Sequence, residues 1–364
     1  MSKHNPNNER IKRQYFAYLK EAYGYSEATV DAVAKALDRF ETGTRRKDFK
    51  AYHYEQAIAF KRHLEEQCNQ ETGKLLSKAT IYATLAHLKR FFHWLAGQPG
   101  YKSRLKFSDA DYFGLSNKDT RVATAHRESR SPTLEQVRHV ISAMPHTADV
   151  ERRDRALIAF TLLTGARDSA IASMRLRHVD LIEQSVFQDA REVNTKNSKT
   201  FTTHFFPVGD EIKAIVVDWI TWLRAEKLWG LDDPLFPATE CRLDASQQFK
   251  AMGLSRTVWQ SAGPIRRIFR EAFTSAGLPY FNPHSLRKTL ARLGQQVCKS
   301  PEQYKVWSQS LGHDDVLTTF TSYGSVSSER QGEIMRALAT PKAEATSRQQ
   351  VIEEVQQMLD RLGT

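Results

Sequence analysis

The sequence predicts a mainly α-helical protein that carries a small antiparallel β-sheet. Three observations predict it. Apolar residues recur at helical spacing along most of the chain, and Ser, Pro and Gly stand where those stripes begin and end. Only one stretch sets two β-prone segments around a polar turn. With 364 residues, 40% apolar and 26% charged, the composition is that of a globular protein with room for two domains and a sizeable core.

Residues 9–112 read as a helical domain. Ile11, Tyr15, Leu19 and Ala22 share one helical face that ends near Gly24, and Ser26 caps a second helix with Val30, Val33, Leu37 and Phe40 inward. A third helix runs from about Tyr54 to Cys68. The fourth is the strongest, with Ser77 as cap and Ile81, Leu85, Leu88 and Leu95 as its stripe, stopped at Gly97-Gln98-Pro99. From about Leu105 the periodicity fades, and residues 113–131 read as a linker rich in Asp, Ser, Asn, Thr and Arg.

Residues 132–340 form the second predicted domain. Ser131-Pro132 opens a helix with Leu134, Val137, Val140 and Ile141 on its apolar face. Another helix, about 151–164, ends at Gly165, and a short one follows from Asp168. Glu192–Thr195 and Phe201–Val208 flank Lys196-Asn197-Ser198-Lys199 as a hairpin. Helix returns at 210–227, residues 230–262 read as irregular, and Pro264–Ser275 is a helix stopped by Gly277. The tail, 341–364, has Val351, Val355, Leu359 and Leu362 at helical spacing beyond a Pro341 break.

The net charge of +11 favours a polyanionic partner. It is unevenly placed: residues 1–130 hold 24 Lys and Arg against 15 Asp and Glu, an excess of 9, and the remaining 234 hold 29 against 27, an excess of 2. A basic front beside a near-neutral remainder suggests a dedicated electrostatic grip next to a site that does something else. In the front domain, Lys12, Arg13, Arg45, Arg46, Lys47, Lys50, Lys78, Lys89 and Arg90 lie off the apolar stripes, and Arg45, Arg46, Lys47, Lys78, Lys89 and Arg90 are the candidate DNA contacts. Three widely separated cysteines argue against a disulfide framework, and no His/Cys spacing suggests zinc. The N-terminus lacks an apolar signal core and no run approaches membrane-span length, so the expectation is a soluble, cytoplasmic protein without a membrane partner.

Chemistry concentrates in 282–324, which holds His284-x-x-Arg287, Leu311-Gly312-His313 and Tyr323. Upstream, Thr164-Gly165-Ala166-Arg167 puts an arginine at a helix end, and Lys196 lies in the turn. Taken singly, Arg167 is a surface arginine after a helix cap, Lys196 a solvated lysine and His284 a structural histidine. Taken in order, Arg167, Lys196, His284, Arg287, His313 and Tyr323 resemble the signature of the tyrosine recombinase (phage integrase) family, and residues 9–112 are similar to its helical core-binding, SAM-like domain.

The resemblance implies a C-terminal catalytic domain and a site-specific recombinase that cleaves and rejoins DNA through a 3′-phosphotyrosine, with no metal, ATP or other cofactor. It implies Tyr323 as nucleophile, Arg167, Arg287 and His313 on the phosphate oxygens, Lys196 as acid for the leaving 5′-oxygen and His284 beside the phenol. It also implies a homotetramer on two DNA duplexes, with a tail helix exchanged between protomers, in a nucleoid-associated protein of a prokaryote, phage or mobile element. The chain departs from the pattern at Ala170, where an acidic residue is usual, and Asp168 is expected on another face of its helix. Helical pattern begins by Glu9, which leaves no room for an arm-binding domain. The second reading is a type IB topoisomerase, which relaxes DNA by related chemistry without a paired site. A third is an architectural or decayed DNA-binding protein.

Overall fold

The computed structural model describes residues 4–69, 72–125, 130–243 and 249–313. The chain divides into two compact units, the first running to His126 and the second beginning at Arg127. Both are mainly helical, and the strands lie in the second. No helix among the described residues is long and apolar enough to cross a membrane.

The first unit is built from α1 (Pro6–Glu21), α2 (Glu27–Gly43), α3 (Tyr54–Glu66), α4 (Lys78–Ala96) and α5 (Asn117–Thr124). The predicted stripes are buried: Ile11, Tyr15 and Leu19 on α1, Val33, Leu37 and Phe40 on α2, and Leu85, Leu88 and Leu95 on α4. Ala22 instead caps α1. The centre is aromatic, with Phe40 at ring-centroid distances of 5.1 Å from Phe60 and 5.2 Å from Phe92, both edge-on.

The segment read as a linker has structure. A 3-10 turn, Phe107–Phe113, buries Ala110 and Phe113, and the Tyr52 hydroxyl donates to the Asp109 carbonyl at 2.8 Å. Then α5 follows, capped by Ser116. The sequence hid both for a physical reason. A 3-10 turn lacks the 3.6 period, and α5 buries none of its residues, so it needs no apolar stripe.

Lys12 is a further correction, because it is buried rather than facing solvent. Its ammonium donates to Glu41 at 2.6 Å and pairs with Glu9 at 2.6 Å. Glu41 is 0% exposed and also accepts from the Asn8 amide at 3.0 Å. Burial opposes the charge on Lys12, yet its bonds to Glu41 and Glu9 outweigh that and hold its pKa above the usual lysine value.

The second unit packs around α7 (Asp149–Thr164), ten of whose residues are buried. Around it stand α6 (Leu134–Ala143), α8 (Asp168–Ser173), α9 (Asp210–Ala225), α10 (Gly263–Ser275), α11 (Ser285–Val297) and α12 (Pro301–Ser310). A three-stranded antiparallel sheet in the order β1 (Val179–Asp180), β2 (Ser185–Gln188), β3 (Phe201–His204) pairs Val179 with Val186 and Gln188 with Phe201. The predicted partner strand 192–195 is therefore displaced to Ser185–Gln188. Glu192 is drawn off to His178 at 2.9 Å and Arg177 at 2.9 Å, and residues 189–200 form one long connection.

A second hairpin, β4 (Thr239–Leu243) and β5 (Phe249–Leu254), occupies the stretch read as irregular. Its register shifts between Glu240 and Cys241, a bulge that breaks the period-2 signal. Helix α12, with a Ser300/Gln303 capping box, was not predicted.

Removing Glu41 takes the buried carboxylate away from the Lys12 ammonium, which keeps Glu9, and from the Asn8 amide, which keeps the Lys47 carbonyl. Glu41→Ala is expected to lower stability by about 1–3 kcal/mol. The measurement is the urea midpoint, and a midpoint equal to wild type would show that the pair contributes nothing net.

Candidate active site

Helix α7 stops because Gly165 adopts φ 60°, ψ 18°, a left-handed conformation. A Cβ there would lie 2.9 Å from both Leu290 and Leu311, so only glycine fits the turn and the packing together. The chain then turns into α8, with Arg167 at its N-cap, half-buried.

On the facing side, the Asn282 side chain accepts from the Ser285 N–H at 3.0 Å and its carbonyl accepts from the Ser285 hydroxyl at 2.6 Å. That turn sets His284 at the N-cap of α11 and Arg287 in its first turn. The third contributor follows α12, where Gly312 at φ 71° ends the helix against the Phe201 ring. His313 comes next.

Arg287 joins these pieces. It is 2% exposed, and its Nη1 donates to the Gly165 carbonyl at 2.6 Å. Its Nη2 donates to the Leu311 carbonyl at 2.5 Å and lies 2.8 Å from His313 Nε2. A guanidinium only donates, so His313 Nε2 is the acceptor and the ring proton sits on Nδ1. This bracing role has no sequence signal, because its acceptors are backbone carbonyls.

The two imidazoles are neutral near pH 7. Desolvation and then Arg287 and Arg167 depress His313 to about 3, with smaller contributions from Lys199 and His284. Desolvation, then Arg287, Arg167 and Lys288, lower His284 to about 4, while Asp168 opposes the shift. One side of His284 stays open to solvent, so the downward direction is the part its chemistry uses.

The structure thus brings Arg167, His284, Arg287 and His313 together, and adds Lys199. The Lys199 ammonium donates to the Gly312 carbonyl at 3.3 Å and lies 5.8 Å from the Phe201 ring. Lys196 stays on the exposed side of the same connection, in a turn where Asn197 and Ser198 are left-handed. Tyr323 and the tail from Pro341 lie outside the described residues.

Ala170 is 1% exposed and packs in the core. The nearest carboxylate on that helix is Asp168. Its Oδ2 accepts from Arg266 Nε of α10 at 2.7 Å and its Oδ1 from the Ser169 N–H at 2.9 Å. Arg167 therefore sits between two tethers, Gly165 held by Arg287 and Asp168 held by Arg266.

The Phage integrase family model matches residues 133–330, more than half of the chain. The chain belongs to the phage integrase family. All six signature positions, Tyr323 included, fall inside that match. Tyrosine recombinase XerC of Lactobacillus delbrueckii subsp. bulgaricus is 23% identical over 326 residues, covering 85% of this chain and 92% of that protein. XerC of Corynebacterium efficiens is 29% identical over 204 residues, 56% of this chain and 55% of that one.

Two solved integrases share the fold. A lambda integrase dimer bound to a COC′ core site gives a TM-score of 0.57 at 13% identity over 87% of this chain and 95% of that one. The Tn1549 transposon integrase in complex with transposon right end DNA gives 0.53 at 15% identity, over 91% and 99%.

The histidines carry a pH signature. The unfolded chain takes up protons near pH 6.5 that the folded site refuses until about 3 at His313, so folded stability falls as pH drops through that window. The His313 contribution is at most ~1.4 kcal/mol per pH unit. His313→Gln is expected to show a shallower loss between pH 6.5 and 4 when urea midpoints are compared with wild type. Parallel curves would remove His313 from the account.

Proposed function

We propose that this site carries out tyrosine-recombinase chemistry on a DNA phosphodiester, with Tyr323 as nucleophile. The chain is a site-specific DNA recombinase of its family, and the single observation that supports these residue roles is the convergence around Arg287. Three distant turns meet there and present a cluster of cations and two neutral imidazoles. Such a cluster suits an anion whose charge grows in the transition state.

In this reading Arg167 faces the non-bridging oxygens, Arg287 supplies fixed positive charge behind it, and His313 donates through Nδ1–H. His284 holds the Tyr323 phenol. An imidazole held below its ordinary pKa by desolvation and by Arg287 and Arg167 is a poor base for a phenol, so full proton transfer to it is unfavourable. His284 therefore positions the phenol, and the surrounding cations, by favouring phenolate, do most of the acidifying.

Lys196 is the acid for the 5′-oxygen. It forms no ion pair among the described residues, is exposed, and can follow an incoming backbone. Lys199 is committed to the Gly312 carbonyl and supplies fixed charge. The first unit grips DNA as the core-binding domain, and the enzyme acts as a homotetramer on two duplexes, at the nucleoid, with the tail from Ser347 exchanged between protomers.

Two measurements test this. On a nicked duplex, wild type is expected to form a covalent adduct and Tyr323→Phe none; an adduct with the variant would remove Tyr323 from the nucleophile role. A 5′-bridging sulfur leaves as a thiolate and needs no acid. That substrate should restore cleavage to Lys196→Ala, which otherwise loses about 100-fold, but not to Lys199→Ala. Rescue of Lys199→Ala alone would transfer the acid role to Lys199.

A further inference from the structure

Between the end of α2 and α3 lies a cavity of about 400 Å³ whose rim carries Arg45, Lys47 and His63 and whose floor is Phe60. Gly43 lets that floor close up, since a Cβ there would meet the Phe60 ring at 3.0 Å. We propose that this cavity is a binding site for a phosphate of the DNA backbone, with Arg45 and Lys47 as its contacting cations. The proposal rests on the reading of the chain as a DNA recombinase and adds to it a site, a division of labour and a reason for the local strain.

The loop that carries the cations is held in an unusual shape. Arg45 and Arg46 are consecutive non-glycine residues in the left-handed region, φ 53° and φ 54°. Sequences that need such a turn for its shape alone place glycine there. Here the shape is imposed from beneath. The Glu41 carbonyl accepts from the Arg46 N–H at 2.6 Å, while the Asn8 amide donates to the Lys47 carbonyl at 2.9 Å and its oxygen accepts from the Phe49 N–H at 3.0 Å. Asn8 and Glu41 are themselves fully buried and bonded to each other.

Three neighbouring basic residues then have two fates. Arg46 is occupied, 3.3 Å from Asp38 and 3.4 Å from His4, with its carbonyl accepting from Asn5. Arg45 and Lys47 are exposed and form no ion pair among the described residues. The backbone cannot hold the anion instead. The N–H groups of Arg45, Arg46 and Lys47 all donate to helix-end carbonyls, so the cations must be side chains. Strain kept at non-glycine residues next to a cavity points to a function for the side chains.

The test is binding of a random-sequence DNA duplex by the full chain at several KCl concentrations. Arg45→Gln and Lys47→Gln are each expected to lower the slope of log affinity against log salt by about 1, and the pair by about 2, while Arg46→Gln changes it by less than half of that. Arg45→Gly should raise the melting temperature, because it relieves the strain, and still lose the same slope. Wild-type slopes in the Arg45 and Lys47 variants, or a lower melting temperature for Arg45→Gly, would overturn the site. A wild-type protein that binds no duplex at any salt would instead overturn the recombinase reading.

Discussion

The second unit depends on one buried guanidinium. Arg287 reaches the carbonyl at the end of α7, the carbonyl at the end of α12 and the ring of His313. Each bond from a charged donor contributes about 1.5–3 kcal/mol, and an orphaned buried charge costs more. The geometry is what matters most. Gly165 and Leu311 are far apart in sequence, and a planar fork of fixed angles sets the distance between their turns. Lysine could neutralise the same charge but could not hold both carbonyls at once. Local charge and scaffold are therefore the same group, so loss of Arg287 would be felt in stability as well as in the electrostatics of the site.

The electrostatics of the site follow from that arrangement. Arg167, Arg287 and Lys199 all act on His313 with little carboxylate to offset them, and Asp168, already engaged by Arg266, opposes only weakly at His284. A group of cations in a partly desolvated turn makes each further positive charge costly, so the imidazoles shed theirs. An arriving phosphodiester would reverse the local sign and raise both pKa values. In the proposed reaction both imidazoles would hold a proton better beside a phosphodiester than without one, which would suit groups that handle a proton only during strand cleavage.

Much of this was legible in sequence, and the exceptions share a cause. Helices that bury one face against a core announced themselves, as α2 and α4 did, because burial forces a 3.6 period. Helix α5 buries nothing and β4 is bulged, so neither left a period to read. The signature residues stood out by type and order, but type does not disclose partners. Lys12 belongs to the same basic set as Arg45, and only the fold shows that Glu41 lies beneath it. Lys196 and Lys199 differ by three positions in one turn, and the left-handed Asn197 and Ser198 decide which of them points inward. Bonds to backbone carbonyls, such as those of Arg287, carry no residue signature at all.

The left-handed positions separate shape from chemistry. At Gly165 and Gly312 the chain must turn sharply while a neighbouring side chain presses on the Cα, and glycine satisfies both demands at no steric cost. At Arg45 and Arg46 the turn is similar but nothing requires glycine's bareness, and the chain keeps arginines that cost about 1–2 kcal/mol each in that conformation. The Lys12–Glu41–Asn8 network offsets such a cost only because it is buried and fully bonded. Buried ion pairs are poor sources of stability compared with apolar packing. One that holds a strained basic loop in place is better understood as fixing where the charge sits.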